Sequence, residues 1–166
     1  VLNLEGVQTR YEDPKPILEK ISSIGNDSFV PLMQEIYSTP IKEELVKRRI
    51  HEIKSKGGIA AVSGTPVAAI RFAQTIAEAG ADLFFVQATV VSTEHIGPEG
   101  RENLDLADLC QSIGMPVVMG NCVTYEVALQ LMRAGAAGVM IGIGPGAACT
   151  SRGVLGVGIP QATAIA

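Results

Sequence analysis

GIAAVSGTP (residues 58–66), running on to AEAGA (77–81), and GMPVVMGNCVT (114–124), running on to MRAGA (132–136), are two versions of one pattern. Each has a glycine, a short apolar run, a polar turn, a helical stretch and a closing Ala-Gly-Ala. The spans from opening to closing glycine, Gly58 to Gly80 and Gly114 to Gly135, differ by one residue. A short apolar run followed by a helix is the mark of a strand buried on both faces of a parallel sheet, so the two segments read as copies of one βα unit. Further runs at Val1–Leu4, Leu83–Val86 and Val139–Ile141 join Ile59–Val62 and Val117–Met119 to make five strands. Five suit either a small open doubly wound sheet or somewhat over half of a closed (β/α)8 barrel, for which about 250 residues are usual; periodicity does not separate the two.

Punctuation supports the alternation. Asp13-Pro14, Thr39-Pro40 and Thr65-Pro66 pair a capping side chain with a proline whose fixed φ suits a first helical turn. Gly25, Gly57, Gly80 and Gly135 are read as helix ends, where a left-handed residue costs least in glycine. After Pro40, Val46, Ile50 and Ile53 form one apolar face amid Lys47, Arg48, Glu52 and Lys54, which reads as a solvated surface.

Bulk properties narrow the function. With 166 residues, 47% hydrophobic and 18% charged, the chain holds material for one core and at most one domain. A net charge of −4, a pI near 5.2 and 4% aromatic residues argue against a nucleic-acid partner. There is no long apolar run for a membrane and no CxxC pair among the three cysteines, so the expectation is a soluble protein of a reducing compartment, the cytoplasm. Val1 at one end and ATAIA at the other read as cuts, which makes residues 1–166 an expected single incomplete domain, truncated at both ends.

Parallel sheets carry ligands at the carboxyl ends of their strands. Those ends read Asn3-Leu4-Glu5-Gly6, Ser63-Gly64, Gln87-Ala88-Thr89, Gly120-Asn121-Cys122 and Gly142-Ile143-Gly144, a polar and glycine-rich rim. Beyond the last lies Cys149, with Thr150, Ser151 and Arg152 after it. Glycines 142, 144 and 146 suit a tight turn, or backbone groups turned toward an anion or a cation. Cys149 is open to two readings: a thiolate nucleophile stabilised by nearby positive charge and backbone dipoles, or a small buried hydrophobe. Cys110, among leucines, reads as core, and Cys122 as packing at a strand end. His51 reads as a surface residue and His95 as a loop residue within possible reach of the rim; the pair make no metal site unaided.

VLNLEG (1–6), GGIAAVS (57–63), VVMGNCVT (117–124) and above all GIGPGAACTSRGVLGVGIPQ (142–161) resemble the IMP dehydrogenase and GMP reductase family, whose loop reads GxGPGSxCTTR followed by GxGxPQ. LEGVQTRYEDP (4–14) and FVQATVVSTEH (85–95) are similar to the related branch found in cyanobacteria, which lacks the regulatory cystathionine-synthase-type insertion. The resemblance implies an α/β fold, a partial TIM (β/α)8 barrel covering roughly the second to sixth βα units. It implies that Cys149 attacks C2 of IMP, that hydride passes to NAD, and that the thioimidate is hydrolysed to XMP. It further implies a monovalent cation, potassium, on the carbonyls of Gly144, Gly146 and Cys149, a place for Asn121, Gly146 and Ala147 in the nucleotide site, and a homotetramer for the full-length protein.

The likeness has departures. Ala147 stands where the family has a phosphate-binding serine, Ser151 where it has a threonine that helps handle water or ammonia, and Gln87-Ala88-Thr89 where an Asp-Ser-Ser run contacts the cofactor ribose. Phosphate grip would then rest on backbone amides, and Gln87 and Thr89 would carry the cofactor contact. The alternatives are a GMP reductase, in which the same cysteine attacks GMP, ammonia leaves and NADPH returns hydride, and a purine-nucleotide-binding paralogue without turnover. The isolated 166-residue chain is expected to be inactive.

Overall fold

In the computed structural model, residues 1–89, 91, 94–95 and 104–166 are described. The chain begins with β1 (Leu2–Asn3), a 3-10 turn (Val7–Thr9), and helices α1 (Lys15–Ser23), α2 (Asn26–Ser38) and α3 (Glu43–Ser55). Next come β2 (Ala61–Gly64), α4 (Pro66–Glu78), β3 (Leu83–Gln87) and a small antiparallel pair, β4 (Glu94–His95) with β5 (Leu104–Asp105). Then follow α5 (Leu106–Ser112), β6 (Val117–Cys122), α6 (Tyr125–Arg133), β7 (Gly138–Ile141), α7 (Thr150–Leu155) and α8 (Gln161–Ile165).

The strands β1-β2-β3-β6-β7 form one sheet in chain order, every pairing parallel. A sheet that never reverses its strand order has the progression of a (β/α)8 barrel, whereas a doubly wound sheet turns back at a switch point. The architecture is therefore a partial barrel, and all strands deliver their carboxyl ends to the same rim. Apolar side chains from one face of the sheet and from the helices over it form the core: Phe84, Val62 and Val86 from the strands meet Phe72, Ile76, Val46 and Ile50 from the helices, all nearly inaccessible. Each large aliphatic or aromatic side chain fully buried there contributes about 1.5–3 kcal/mol.

The repeated units fold alike. Thr65 caps α4, its hydroxyl accepting from Ala68 N at 3.3 Å, and Thr124 caps α6, accepting from Val127 N at 3.3 Å. Their closing glycines, Gly80 at φ 75° and Gly135 at φ 99°, take the left-handed turn that leads into the next strand.

Three boundary expectations are corrected. Thr39-Pro40 does not start a helix; α3 begins at Glu43. Thr39 instead ends α2, its hydroxyl paired with Tyr11 Oη at 2.8 Å and its carbonyl accepting from Arg10 Nη1. Gly25 is not a left-handed stop either: at φ −76° it precedes α2, a helix with Pro31 in its interior. Finally, β2 lies two residues further on than Ile59–Val62 suggests. Asp82 Oδ2 accepts from Ala60 N at 2.8 Å, and Ile59 is left 77% exposed ahead of the strand. Helices α1 and α2 pack on a separate small cluster of Val7, Leu32 and Ile36 on the rim side of β1.

Candidate functional site

The carboxyl ends of β3, β6 and β7 and the loop before α7 enclose a cleft of about 320 Å³. Its wall includes Gln87, Thr89, Asn121, Gly144, Cys149 and Ser151, so one depression gathers residues spread over 65 positions. Asn121 lies where β6 leaves its regular pairing with β7, the register shifting between Gly120 and Cys122. Its amide donates to Gly142 O at 2.7 Å, tying the end of β6 to the turn after β7. Cys122, the next residue, faces inward and is 2% exposed. Burial raises its thiol pKa, as it does for Cys110, which packs against the same core.

The loop after β7 is closed from behind. Ile159 N donates to Ile143 O at 2.8 Å, Gln161 Nε2 to Ile141 O at 3.0 Å and Arg152 Nη1 to Gly144 O at 3.5 Å. Gly144 (φ 55°) and Gly158 lie so close that a Cβ on Gly158 would come within 2.6 Å of Gly144 O. Only glycine fits such a backbone approach. That closure leaves Cys149 as the residue immediately before the first turn of α7. The free backbone donors there favour negative charge. The thiol is held below its ordinary pKa, first by the Arg152 backbone N–H, then by the Ser151 N–H and hydroxyl, with the Arg152 guanidinium adding attraction.

The candidate residues do not all lie together. Gly146 and Ala147 sit on the exposed crest of the loop, outside the wall of the cleft, and Gln87 and Thr89 face its opposite side. His51 is exposed on α3 amid Glu44, Lys47 and Arg48, away from the rim. His95 has its backbone in β4, and its side chain lies outside the described residues. Sequence reading missed Arg152 and Gln161 as loop fasteners. The only local signal was a cation and an amide following the turn; their target carbonyls lie 8 and 20 residues upstream.

The carbonyls of Gly144, Gly146 and Cys149 are neutral, hard oxygen donors suited to a monovalent cation. Each accepts one hydrogen bond, from Arg152 Nη1, from Cys149 N at 3.2 Å and from Gly153 N at 3.0 Å, and a carbonyl has two lone pairs. The donor set therefore fits such an ion. No group of three His, Cys, Asp or Glu side chains suited to a metal occurs among the described residues, and no described helix is long and apolar enough to cross a membrane.

Comparison with known proteins gives this geometry a family. An uncharacterized oxidoreductase of Mycolicibacterium smegmatis is 34% identical over all of this chain, which spans 46% of that protein. A similar protein of Mycobacterium leprae is 35% identical with the same coverage. The inosine-5'-monophosphate dehydrogenase of Haemophilus influenzae is 40% identical over 55% of the chain and 18% of its own length. A crystal structure of an IMP dehydrogenase/GMP reductase-like protein from Corynebacterium glutamicum superposes with a TM-score of 0.84 at 30% identity, covering 98% of this chain and 43% of that one. The chain thus spans about half the length of the curated relatives that match it throughout. The family model for the IMP dehydrogenase / GMP reductase domain matches residues 44–166, and the chain belongs to that family.

Proposed function

We propose that the protein to which this chain belongs is a purine-nucleotide oxidoreductase that oxidises IMP to XMP with NAD through a covalent adduct on Cys149. The observation that carries the reading is the placement of Cys149: half-exposed at the cleft, before the first turn of α7, with its pKa lowered by donors from Arg152 and Ser151. A thiolate prepared in this way serves attack on an electrophilic carbon, and C2 of the hypoxanthine ring is such a carbon. Bond formation from Sγ to C2 makes that carbon tetrahedral, and departure of its hydride with the electron pair leaves an oxidised thioimidate. NAD, when bound, supplies the acceptor for that hydride. Water then adds at C2, the C–S bond breaks, and XMP leaves with the thiol restored.

The chain's own groups have definite parts in this scheme. Asn121, fastened to Gly142 O, borders the nucleotide and keeps the loop at a set distance from β6. The Ser151 hydroxyl, already beside the sulfur, steadies the thiolate before attack and again as it leaves. Gly146 N–H and Ala147 N–H, on the crest, are backbone donors for the phosphate. Gln87 and Thr89 form the opposite wall, on the side proposed for the dinucleotide. A potassium ion on the carbonyls of Gly144, Gly146 and Cys149 would hold the loop's shape.

The test is NADH appearance when the full-length protein receives IMP, NAD and potassium. A signal that Cys149→Ala abolishes supports the dehydrogenase. No signal from folded wild type, with GMP and NADPH yielding IMP and ammonia instead, establishes the reductase direction on the same cysteine. Nucleotide binding without either turnover identifies a non-catalytic binding protein.

A further inference from the structure

β7 pairs with β6 along one edge, and at its carboxyl end the other edge is met by the chain returning after α7. The two neighbours take consecutive backbone groups in turn. Gly142 N donates to Cys122 O at 2.8 Å and Gly142 O accepts from Asn121 Nδ2 at 2.7 Å, both on the β6 side. The carbonyls before and after it go to the returning chain: Ile141 O accepts from Gln161 Nε2 at 3.0 Å and Ile143 O from Ile159 N at 2.8 Å. Two primary amides, Asn121 from β6 and Gln161 from the start of α8, thus hold adjacent carbonyls of one turn from opposite sides.

Gln161 also packs where it bonds. Gly142 stands at φ 122°, and a Cβ there would collide with Gln161 Oε1 and lie 3.2 Å from its Cδ, so the amide lies directly against the Gly142 backbone. Two residues on, Gly144 is met by Val157 O and Gly158 of the same returning segment. Gly142, Ile143 and Gly144 are buried under these contacts, whereas the loop from Pro145 to Ala148 that leads to Cys149 is exposed. The clamped turn is therefore the fixed base from which the cysteine is carried. Asn121 stands in the wall of the cleft and Gln161 does not, so Gln161 reaches the chemistry only through the backbone.

We propose that Gln161 is a positioning residue for the proposed reaction: opposite Asn121, it clamps residues 141–144 and so sets the base of the loop that presents Cys149, without touching the substrate. The assignment rests on the proposed oxidoreductase reading and adds to it a residue outside the cleft. The two amides then have separable parts. Asn121 borders the nucleotide and acts on its binding, while Gln161 acts on the aim of the sulfur. Loss of the Gln161 donor leaves the walls of the cleft in place and lets the loop drift. A reaction that needs Sγ aligned with C2 feels that fault in kcat and not in KM.

The test compares full-length wild type with Gln161→Met, which keeps the length of the side chain and loses the donor, and Gln161→Lys, which has a donor at similar reach. Gln161 is exposed, so neither variant opens a cavity in the core. In steady-state assays with IMP, NAD and potassium, or with GMP and NADPH if that is the direction, Gln161→Met should lower kcat about tenfold with the nucleotide KM within about twofold. Gln161→Lys should recover kcat to within about threefold of wild type. Amide hydrogen exchange in peptides spanning residues 141–149, read by mass spectrometry without substrate, should quicken about tenfold in Gln161→Met and return in Gln161→Lys, with α4 unchanged. Wild-type kcat in Gln161→Met, a loss carried by KM instead, unaltered exchange, or a lysine variant as impaired as the methionine one would each overturn the assignment. If wild type turns over neither IMP nor GMP while exchange at 141–149 rises in Gln161→Met and falls back in Gln161→Lys, the proposed reaction is lost and the clamp by Gln161 stands.

Discussion

Cys122 and Cys149 stand 27 residues apart at the same rim, the first ending β6 and the second ending the loop between β7 and α7, yet they are opposite in chemistry. Cys122 lies past the register shift that follows Gly120 and turns into the core, where desolvation disfavours its thiolate. Cys149 is carried on a loop closed by glycine contacts, beside the unpaired amides of a helix start, and its thiolate is favoured. The difference teaches that neither residue type nor nearness to a strand end makes a nucleophile. Separation from the pleat and access to free N–H donors do.

The largest way to break that contrast is to remove each sulfur. In the full-length protein Cys149→Ala should lower kcat by at least about a thousandfold, because a covalent route disappears. Cys122→Ala should leave kcat within about threefold, since its side chain touches the core and not the cleft. Comparable losses in steady-state assays of the two variants would end the assignment of Cys149 as nucleophile.

Reactivity sharpens the contrast without needing turnover. Iodoacetamide should modify Cys149 about a hundredfold faster than Cys122 at pH 7.5, as read by peptide mass spectrometry. The direction of pH dependence follows from the cause. Stabilising the thiolate lowers the pKa, so the alkylation rate of Cys149 should reach its plateau at a lower pH than that of an ordinary thiol. Ser151→Ala removes one stabilising donor, and its profile should shift toward alkaline pH. An unchanged profile would show that the hydroxyl has no part in activation.

A smaller effect belongs to the neighbour of Cys122. Asn121→Ala loses the bond to Gly142 O and the amide at the cleft, and should raise the KM for IMP about tenfold with folding retained. The smallest effect is on stability. Cys122→Ala leaves a small cavity in the core, costing about 1–2 kcal/mol in a denaturant midpoint assay, while Cys149→Ala should leave that midpoint unchanged because the half-exposed Cys149 packs in neither core cluster.

How far the sequence carried depends on the range of the interactions involved. The paired βα units were readable because the capping threonine and the left-handed glycine each act within a few residues: Thr65 with Ala68, Thr124 with Val127, Gly80 and Gly135 two residues past their helix ends. Where a long-range contact competed, local reading failed. Thr39 looked like an N-cap, yet its hydroxyl went to Tyr11 and its carbonyl to Arg10, both almost 30 residues away, and α3 began later. Open sheet and partial barrel share the same local pattern, and only the strand order β1-β2-β3-β6-β7 without reversal distinguished them.

By itself the sequence determined the alternation of strand and helix, the polar rim and the presence of a cysteine after a glycine-rich turn, all consequences of local conformational preference and hydrophobic period. The tertiary structure decided which rim residues share a cleft. Glu5 meets Thr65 across 60 residues, Asn121 meets Gly142 across 21, and Gly144 abuts Gly158. Those meetings depend on parallel register, set by the packing of each crossover helix on the sheet, so no window of neighbouring residues contains them.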